Sequence, residues 1–253
     1  MKNFRQQQRP KKSSLVIGRQ AVIDAINAGQ QLDKIYLDNK AQGQEINEIK
    51  SMAVQNAIPV NYVPTAKLNS FNVTEHGGCV GLIARVQYHK LQEIISFVVE
   101  QGESPLLLIL DGITDIRNIG GIARTAFCTG VHAIIIPEKG VGALNDDAVL
   151  TSAGALEKIP VCRVNSLMKT VDELHLNGIR VYASEMTASK NIFDCDFKEP
   201  CAIVMGSEDN GIYPALLKIC DEKIKIPMKG DFESLNVSVA TGMILYEVMK
   251  QRI

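Results

Sequence analysis

Several features are scarce in this chain, and each scarcity closes a door. Its 27 Lys and Arg are balanced by 28 Asp and Glu, a net charge of -1 over 253 residues, so no global field draws it onto nucleic acid. No apolar run approaches the roughly 18 residues that a membrane-spanning helix needs, and the opening residues are not followed by the apolar core and small-residue cleavage site of a signal peptide. The six cysteines, Cys79, Cys128, Cys162, Cys195, Cys201 and Cys220, form no CxxC pair. Scattered through apolar runs, they read as small buried hydrophobes in a reducing compartment, which predicts a cytoplasmic protein. The four histidines, His76, His89, His132 and His175, stand apart from one another and from cysteine at ligand spacing, so no metal site is expected. A GxGxxG dinucleotide loop at the first strand is missing, as are a GxxxxGK[ST] phosphate loop and a GxSxG nucleophile elbow.

What is present is ordinary in bulk and organised in detail. Apolar content of 46% with 22% charged residues suits a globular protein, and the length allows two modest domains or one large one. Residues 1–13 carry Lys2, Arg5, Arg9, Lys11 and Lys12 with no acidic residue, and read as a disordered basic arm. Such an arm is either a solvated tail or a phosphate-contacting segment that gains affinity by counterion release. Residues 14–88 then alternate in short units. A helix over Ala21 to Asn27 ends at Gly29, a strand is expected over Lys34 to Asp38, and helical spacing at Ile46, Ile49 and Met52 spans Glu45 to Asn56. Strands follow over Pro59 to Val63 and Gly78 to Val86. The pattern predicts a small α/β domain. Residues 89–104 read as a helix plus linker.

From residue 105 to 253 a second α/β unit is expected. Leu106 to Leu110 is uninterruptedly apolar, the mark of a strand covered on both faces. Similar runs recur at Ala133 to Ile136, Arg180 to Ala183 and Ala202 to Met205, with helices expected at about 119–129, 146–155, 165–177 and 213–219. This is the signature of a layered parallel sheet, in which ligands bind at the carboxyl ends of the strands.

Three segments rich in Gly, Asn, Ser and charge lie at that edge. The first runs from Asp115 through Asn118 and Gly120 to Arg124. With Asn118 at the start of a helix and Arg124 in its second turn, both could border one cleft, where a helix N-terminus and an arginine favour an anion. Read blandly, Asn118 is a cap and Arg124 a surface ion pair. The second segment is Met205, Gly206, Ser207, Glu208, Asp209, Asn210 and Gly211. Here Gly206 would let a ligand approach the backbone, Gly211 would permit a tight turn, and Glu208 would need a partner such as Arg124; the bland reading is a turn. The third runs from Ile226 and Met228 through Glu233 to Ser234, Leu235, Asn236 and Ser238, at the head of a long apolar helix for which Ser234 or Asn236 is a plausible cap. Gly242, inside that helix, suggests close packing against another element. Asn, Arg, Glu and Ser around a backbone-lined pocket, without metal ligands or a nucleophile, suit a transfer reaction whose cosubstrate brings the electrophile.

In this order the three segments resemble motifs 1, 2 and 3 of the SpoU (TrmH-like) branch of the SPOUT RNA 2′-O-ribose methyltransferases, across residues 105–253. Residues 15–88 are similar to the ribosomal-protein-L30e-like substrate-binding domain of the ribosomal RNA enzymes in that family, through Gly18, the Lys34-Ile-Tyr-Leu run and His76 to Gly81. The resemblance implies a parallel α/β sheet with a deep trefoil knot, S-adenosylmethionine as cosubstrate without metal, a homodimer, and RNA as substrate. By motif position it implies that main-chain groups near Met205, Gly206, Ile226, Met228 and Leu235 hold the cofactor, and that Asn118, Arg124, Glu208, Ser234 and Asn236 form the active site. In that scheme Arg124 contacts the target phosphate or takes the 2′-hydroxyl proton, Glu208 orients Arg124 or Asn118, and Ser234 and Asn236 shape the third loop. Ile116 stands where the family commonly has Pro in Asp-Pro-x-Asn, removing a fixed φ before Asn118. Ribosomal RNA of the large subunit is the expected substrate; transfer RNA methylation and a non-catalytic RNA-binding assembly factor on the same scaffold stay open.

Overall fold

The computed structural model describes residues 14–73, 75–230 and 234–253. The basic arm expected over residues 1–13 and Glu233 lie outside them. The chain divides into two compact units that meet between Ala84 and Arg85.

The first unit contains β1 (Leu15–Ile17), α1 (Arg19–Asn27), β2 (Leu32–Asp38), α2 (Gln44–Gln55), β3 (Val60–Val63), α3 (Thr65–Asn69) and β4 (Cys79–Ile83). Its four strands form one sheet in the order β1-β4-β2-β3, with β4 antiparallel to both neighbours and β2 parallel to β3. The helical spacing that predicted α2 puts Ile46, Ile49 and Ala53 on one buried face, against Ile35 and Leu37 of β2. Two of the residues that carried the family resemblance have local reasons to be where they are. Gly18 holds φ +99° while its N–H donates to the Cys79 carbonyl at 3.0 Å, starting α1 directly off β1. His76 accepts the Gly78 N–H on Nδ1 at 3.0 Å and meets Asn69 Oδ1 with Nε2 at 2.9 Å, fixing the turn into β4.

The second unit is a seven-stranded, wholly parallel sheet. In chain order it contains α4 (Leu91–Glu100), β5 (Leu106–Asp111), α5 (Ile116–Cys128), β6 (Ala133–Pro137), α6 (Asp146–Thr151) and β7 (Val161–Val164). Then come α7 (Leu167–Leu176), β8 (Arg180–Ser184), β9 (Lys190–Asn191), β10 (Cys201–Gly206), α8 (Pro214–Ile219), β11 (Glu222–Lys225) and α9 (Val237–Arg252). The strand order is β7-β6-β5-β10-β8-β11-β9. Period-2 alternation within apolar strands splits their side chains between two cores. Leu106, Leu108, Leu110, Ile203 and Met205 face Ile119, Ile122 and Ala123 of α5 and Ile244, Leu245 and Val248 of α9. Leu107, Ile109, Ala202 and Val204 face Leu91 and Ile95 of α4, Val171 and Leu174 of α7, and Leu216 of α8.

Three expectations change. Residues 89–104 are not a free linker: the helical part buries Leu91, Ile95 and Val98, and its apolar stripe belongs to the second unit's core. The strands β1, β7, β9 and β11 and the helix α3 went unread because each is only two to five residues long, too short to show a period. At Gly242 a Cβ would meet Thr125 Cγ2 at 3.7 Å, an ordinary contact, so packing on α5 does not demand glycine there. The close approach is at Gly120, where a Cβ would lie 2.7 Å from Thr151 Cβ and 2.9 Å from the Ser152 nitrogen, and only a bare backbone lets α6 sit against α5.

The last turn of α9 is stitched to the amino ends of the central strands. Arg252 donates to the carbonyls of Phe197 at 2.8 Å, Ser104 at 2.7 Å and Glu199 at 2.8 Å, while Gln251 accepts from the Phe197 N–H at 3.0 Å. Replacing Arg252 with Met keeps the aliphatic stem and strands these carbonyls. We expect a loss of about 2 kcal/mol and a melting temperature lower by about 4–8 °C, measured by calorimetry on the full chain; an unchanged transition would show that the clamp contributes nothing.

Candidate active site

The site is built at the carboxyl edge of the sheet, where β5 and β10 are neighbours in register at Asp111 and Gly206. Each strand ends in a loop, and the third loop runs from β11 into α9.

The first loop turns into α5. Asp115 is its N-cap, accepting the Arg117 N–H at 2.8 Å, so Ile116 occupies the first helical position. Proline is favoured there because that position needs no donor and its φ is already helical. Ile116 therefore gives up preorganisation but no hydrogen bond. Asn118 lies in the first turn and does not cap.

The second loop depends on Gly206. A Cβ on it would fall 2.2 Å from the Gly211 carbonyl carbon and 2.4 Å from the Ile212 nitrogen. The expectation that Gly206 makes room for a ligand is corrected: the chain's own return fills that space. Ser207 and Gly211 exchange backbone hydrogen bonds at 3.1 and 2.9 Å, with Gly211 at φ +64°, and the turn presents Glu208 to the outside. Glu208 is exposed, not buried as expected, yet it has partners.

Those partners come from the other two loops. Glu208 Oε1 accepts from Asn118 Nδ2 at 3.1 Å, from Asn236 Nδ2 at 2.6 Å and from the Val237 N–H at 3.3 Å. Asn236 Nδ2 also donates to Asn118 Oδ1 at 3.0 Å. The other end of the Asn236 amide caps α9, Oδ1 accepting from the Ser238 and Val239 N–H groups at 3.0 and 3.4 Å and from the Ser238 hydroxyl at 2.6 Å. One carboxylate oxygen thus ties all three segments, and hydrogen bonds to a charged acceptor are the strong ones.

Not every expected residue joins this triangle. Arg124 is exposed and makes no hydrogen bond or ion pair among the described residues; Glu208 holds Asn118, not Arg124. Ser234 is exposed and likewise unpaired, and the cap is Asn236. Met205 is buried to 2% exposure within the core, which leaves only its main chain for any ligand. Ile226, Met228 and Leu235 are half-buried along the third loop, beyond the end of β11.

Sequence reasoning passed over two participants. Arg117 is held by the Asp115 carboxylate, Nη2 to Oδ2 at 2.8 Å, and the Asp115 hydrogen bond and charge, with a smaller contribution from Glu208, raise its pKa. Seven residues make nearly two helical turns, so Arg117 and Arg124 lie on one face of α5; that spacing was readable. Ser238, in the third segment but given no role there, packs on Gly121, where a Cβ would lie 3.4 Å from the serine Cβ. Four of the cysteines are disfavoured as nucleophiles: burial pushes Cys79 and Cys162 up to about 12 and Cys201 and Cys220 up to about 11, whereas Cys128, expected to be buried, is exposed.

A parallel sheet with three loops locked at its carboxyl edge defines a class of α/β transferase. Residues 105–246 match the SpoU rRNA Methylase family, and residues 15–89 match the family described as RNA 2′-O ribose methyltransferase substrate binding. The chain belongs to the SpoU family of RNA methyltransferases. YacO of Bacillus subtilis strain 168, named for the TrmH family of tRNA/rRNA methyltransferases, is 36% identical over 238 residues, covering 94% of this chain and 95% of its own. The SpoU methyltransferase AviRb of Streptomyces viridochromogenes, crystallised with AdoMet, shares the fold with a TM-score of 0.60 at 24% identity, over 94% of this chain and 90% of that one. The A. aeolicus TrmH/SpoU tRNA modifying enzyme aligns with a TM-score of 0.53 at 29% identity, over 64% of this chain and 84% of its own.

Asn236→Ala tests the triangle. The lost cap alone should cost about 1 kcal/mol, and the amides of Ser238 and Val239 should exchange faster with deuterium while those of β5 and β10 keep their protection. Unchanged exchange at the head of α9 would mean that Asn236 ties nothing together.

Proposed function

We propose that this chain transfers the methyl group of S-adenosylmethionine to the ribose 2′-hydroxyl of a nucleotide in RNA, with ribosomal RNA of the large subunit as the substrate. The observation that carries the reading is the bonded set Asn118, Glu208 and Asn236, which brings three distant segments to one strand edge in a member of an RNA methyltransferase family.

The third loop fits the cosubstrate. Met228 and Leu235 are half-buried, and among the described residues their backbone groups form no hydrogen bond, so each would have an apolar side chain and an open amide to offer a flat ring and a ribose. Main-chain groups of Met205, Gly206, Ile226, Met228 and Leu235 would hold it. The bound cosubstrate supplies an electrophilic methyl on a sulfonium. Asn118 and Asn236, fixed by Glu208, set the wall against which the ribose is placed, and Ser234 shapes the loop beside them. Arg124, free and on the Arg117 face of α5, is placed to hold the phosphate of the target nucleotide. A neutral arginine is a rare species in proteins, so proton removal by Arg124 requires that bound phosphate as a helper.

The rest of the reading follows the family. The N-terminal unit, matched to a substrate-binding family, favours ribosomal over transfer RNA; the tRNA modifying enzyme of A. aeolicus aligns with only 64% of this chain. Threading of the chain from β10 to α9 as a trefoil knot follows the family, and the strand order, with β8 between β10 and β11, is compatible with it. A homodimer is supported by the apolar stripe Val239, Met243 and Tyr246 on α9, exposed at 49%, 45% and 60%. No helix among the described residues is long and apolar enough to cross a membrane, and the cytoplasm is the compartment that fits an RNA substrate.

The decisive experiment incubates the protein with methyl-labelled S-adenosylmethionine and separate ribosomal and transfer RNA pools, followed by alkaline hydrolysis. Label in alkali-resistant dinucleotides of the ribosomal pool is expected, because a 2′-O-methyl group blocks cleavage at its own linkage. Label in mononucleotides would move the chemistry to a base; label in the transfer RNA pool would change the substrate; cosubstrate binding absent in both would favour the non-catalytic scaffold. In the same assay Arg124→Ala should lower transfer by about 100-fold or more with cosubstrate affinity near wild type, and retained activity would remove Arg124 from the mechanism.

A further inference from the structure

A second recess opens at the same strand edge, one strand further along. It is a cleft of about 220 Å³ between the ends of β5 and β6, walled by Asp111, Lys139, Leu167, Met168, Tyr213 and Leu216. Tyr213 ends the β10–α8 connection that carries the Glu208 turn, and the other five come from outside the three segments. The neighbouring Gly112 is the partition between cleft and site: a Cβ on it would lie 3.5 Å from Ser207 Cβ, at the root of the Glu208 turn. An occupant of the cleft would therefore lie next to the turn that carries Glu208.

The chemistry of the walls selects the occupant. Leu167 and Leu216 are buried and supply an apolar floor, with Met168 half-buried beside them. Tyr213 stands at the rim, the residue 62% exposed. Its backbone is fixed, since its N–H donates to Asp111 Oδ2 at 2.7 Å. The second carboxylate oxygen of Asp111 takes no hydrogen bond among the described residues, and Lys139, exposed, makes no ion pair among them. An anchored aromatic, a thioether, one open carboxylate oxygen and one open cation together fit a flat ring that carries an amino group and is followed by a phosphate. The volume is below the roughly 300–1,000 Å³ of pockets that engulf a drug-sized ligand, so it admits a ring and not a whole cofactor. RNA is read in this manner, by splaying a base out, stacking it on an aromatic side chain and bonding its edge.

We propose that this cleft holds the base of a nucleotide flanking the methylated one, with Tyr213 stacked on it, Asp111 accepting from its exocyclic amino group and Lys139 on its phosphate. The carboxylate favours cytosine, adenine or guanine over uracil, which has no amino group to offer. This assignment rests on the RNA methyltransferase reading, and the test separates the two.

The sequence contains no tryptophan, so Tyr213→Trp places a single indole in the full chain as a reporter. Its emission should be quenched saturably by ribosomal RNA and by oligocytidylate, several-fold more weakly by oligouridylate, and not by S-adenosylmethionine alone. In methyl transfer, Tyr213→Ala should raise the KM for RNA about tenfold with little change in kcat, and Tyr213→Phe should restore it, as expected of stacking. A silent indole while filter binding shows RNA retained would overturn the cleft assignment and leave the function standing. Quenching by S-adenosylmethionine alone would give the cleft to the cosubstrate, and equal response to both homopolymers would remove Asp111 from base selection. Either result overturns the proposal. If the unaltered protein retains no RNA, the underlying reading falls and the cleft assignment with it.

Discussion

One carboxylate oxygen decides whether this protein has a site. Glu208 Oε1 gathers an amide from the head of α5, an amide from the residue before α9 and the first backbone N–H of α9 itself. The donors come from two excursions of the chain and the acceptor from a third, and a direct bond from Asn236 to Asn118 closes the triangle. The arrangement is open to water, so its strength comes from the count and convergence of donors on a charge more than from a low dielectric. Everything around it serves the placement of that oxygen. Gly206 lets the turn fold back on itself, the register of β5 with β10 sets the spacing, and the buried stripe of α9 fixes where its first turn begins.

The two faces of the sheet divide the labour. On one side α5 and α9 carry the bonded asparagines, and the closeness of α5 to α6 depends on Gly120. On the other side α4, α7 and α8 make an apolar support whose outer edge forms the cleft beside β5. A substrate strand lying along the carboxyl edge would meet first one face and then the other. Reaction and recognition can therefore be altered separately, which suits a family whose members share a transfer reaction and differ in the RNA they address.

Much of this was legible in the residues. Uninterrupted apolar runs such as Leu106 to Leu110 and Ala202 to Met205 announced doubly covered strands, and the three polar segments announced their common edge because parallel strands all end on the same side. The composition of those segments, together with their order, pointed to the family. Several pairings were out of reach. Glu208 had an obvious partner by charge, Arg124, yet it takes two amides; a contact 90 residues away is decided by the crossing of α5 and α9, which no local pattern encodes. Gly206 looked like an opening for a ligand because a glycine in a loop says that a side chain is forbidden without saying what forbids it. In the 89–104 stretch a helix and a linker were legible, but not that Leu91 and Ile95 of that helix join the core of the second unit.

The bond from Asn236 to Asn118 spans 118 positions of the chain. On a ribosome the first turn of α5 emerges long before its partner exists, and closing so large a loop is entropically slow. The half-made protein can assemble β5, β6 and β7 with their helices, but it has no triangle and no third loop. A chain that stalls before α9 therefore lacks every bond that joins the third loop to the other two.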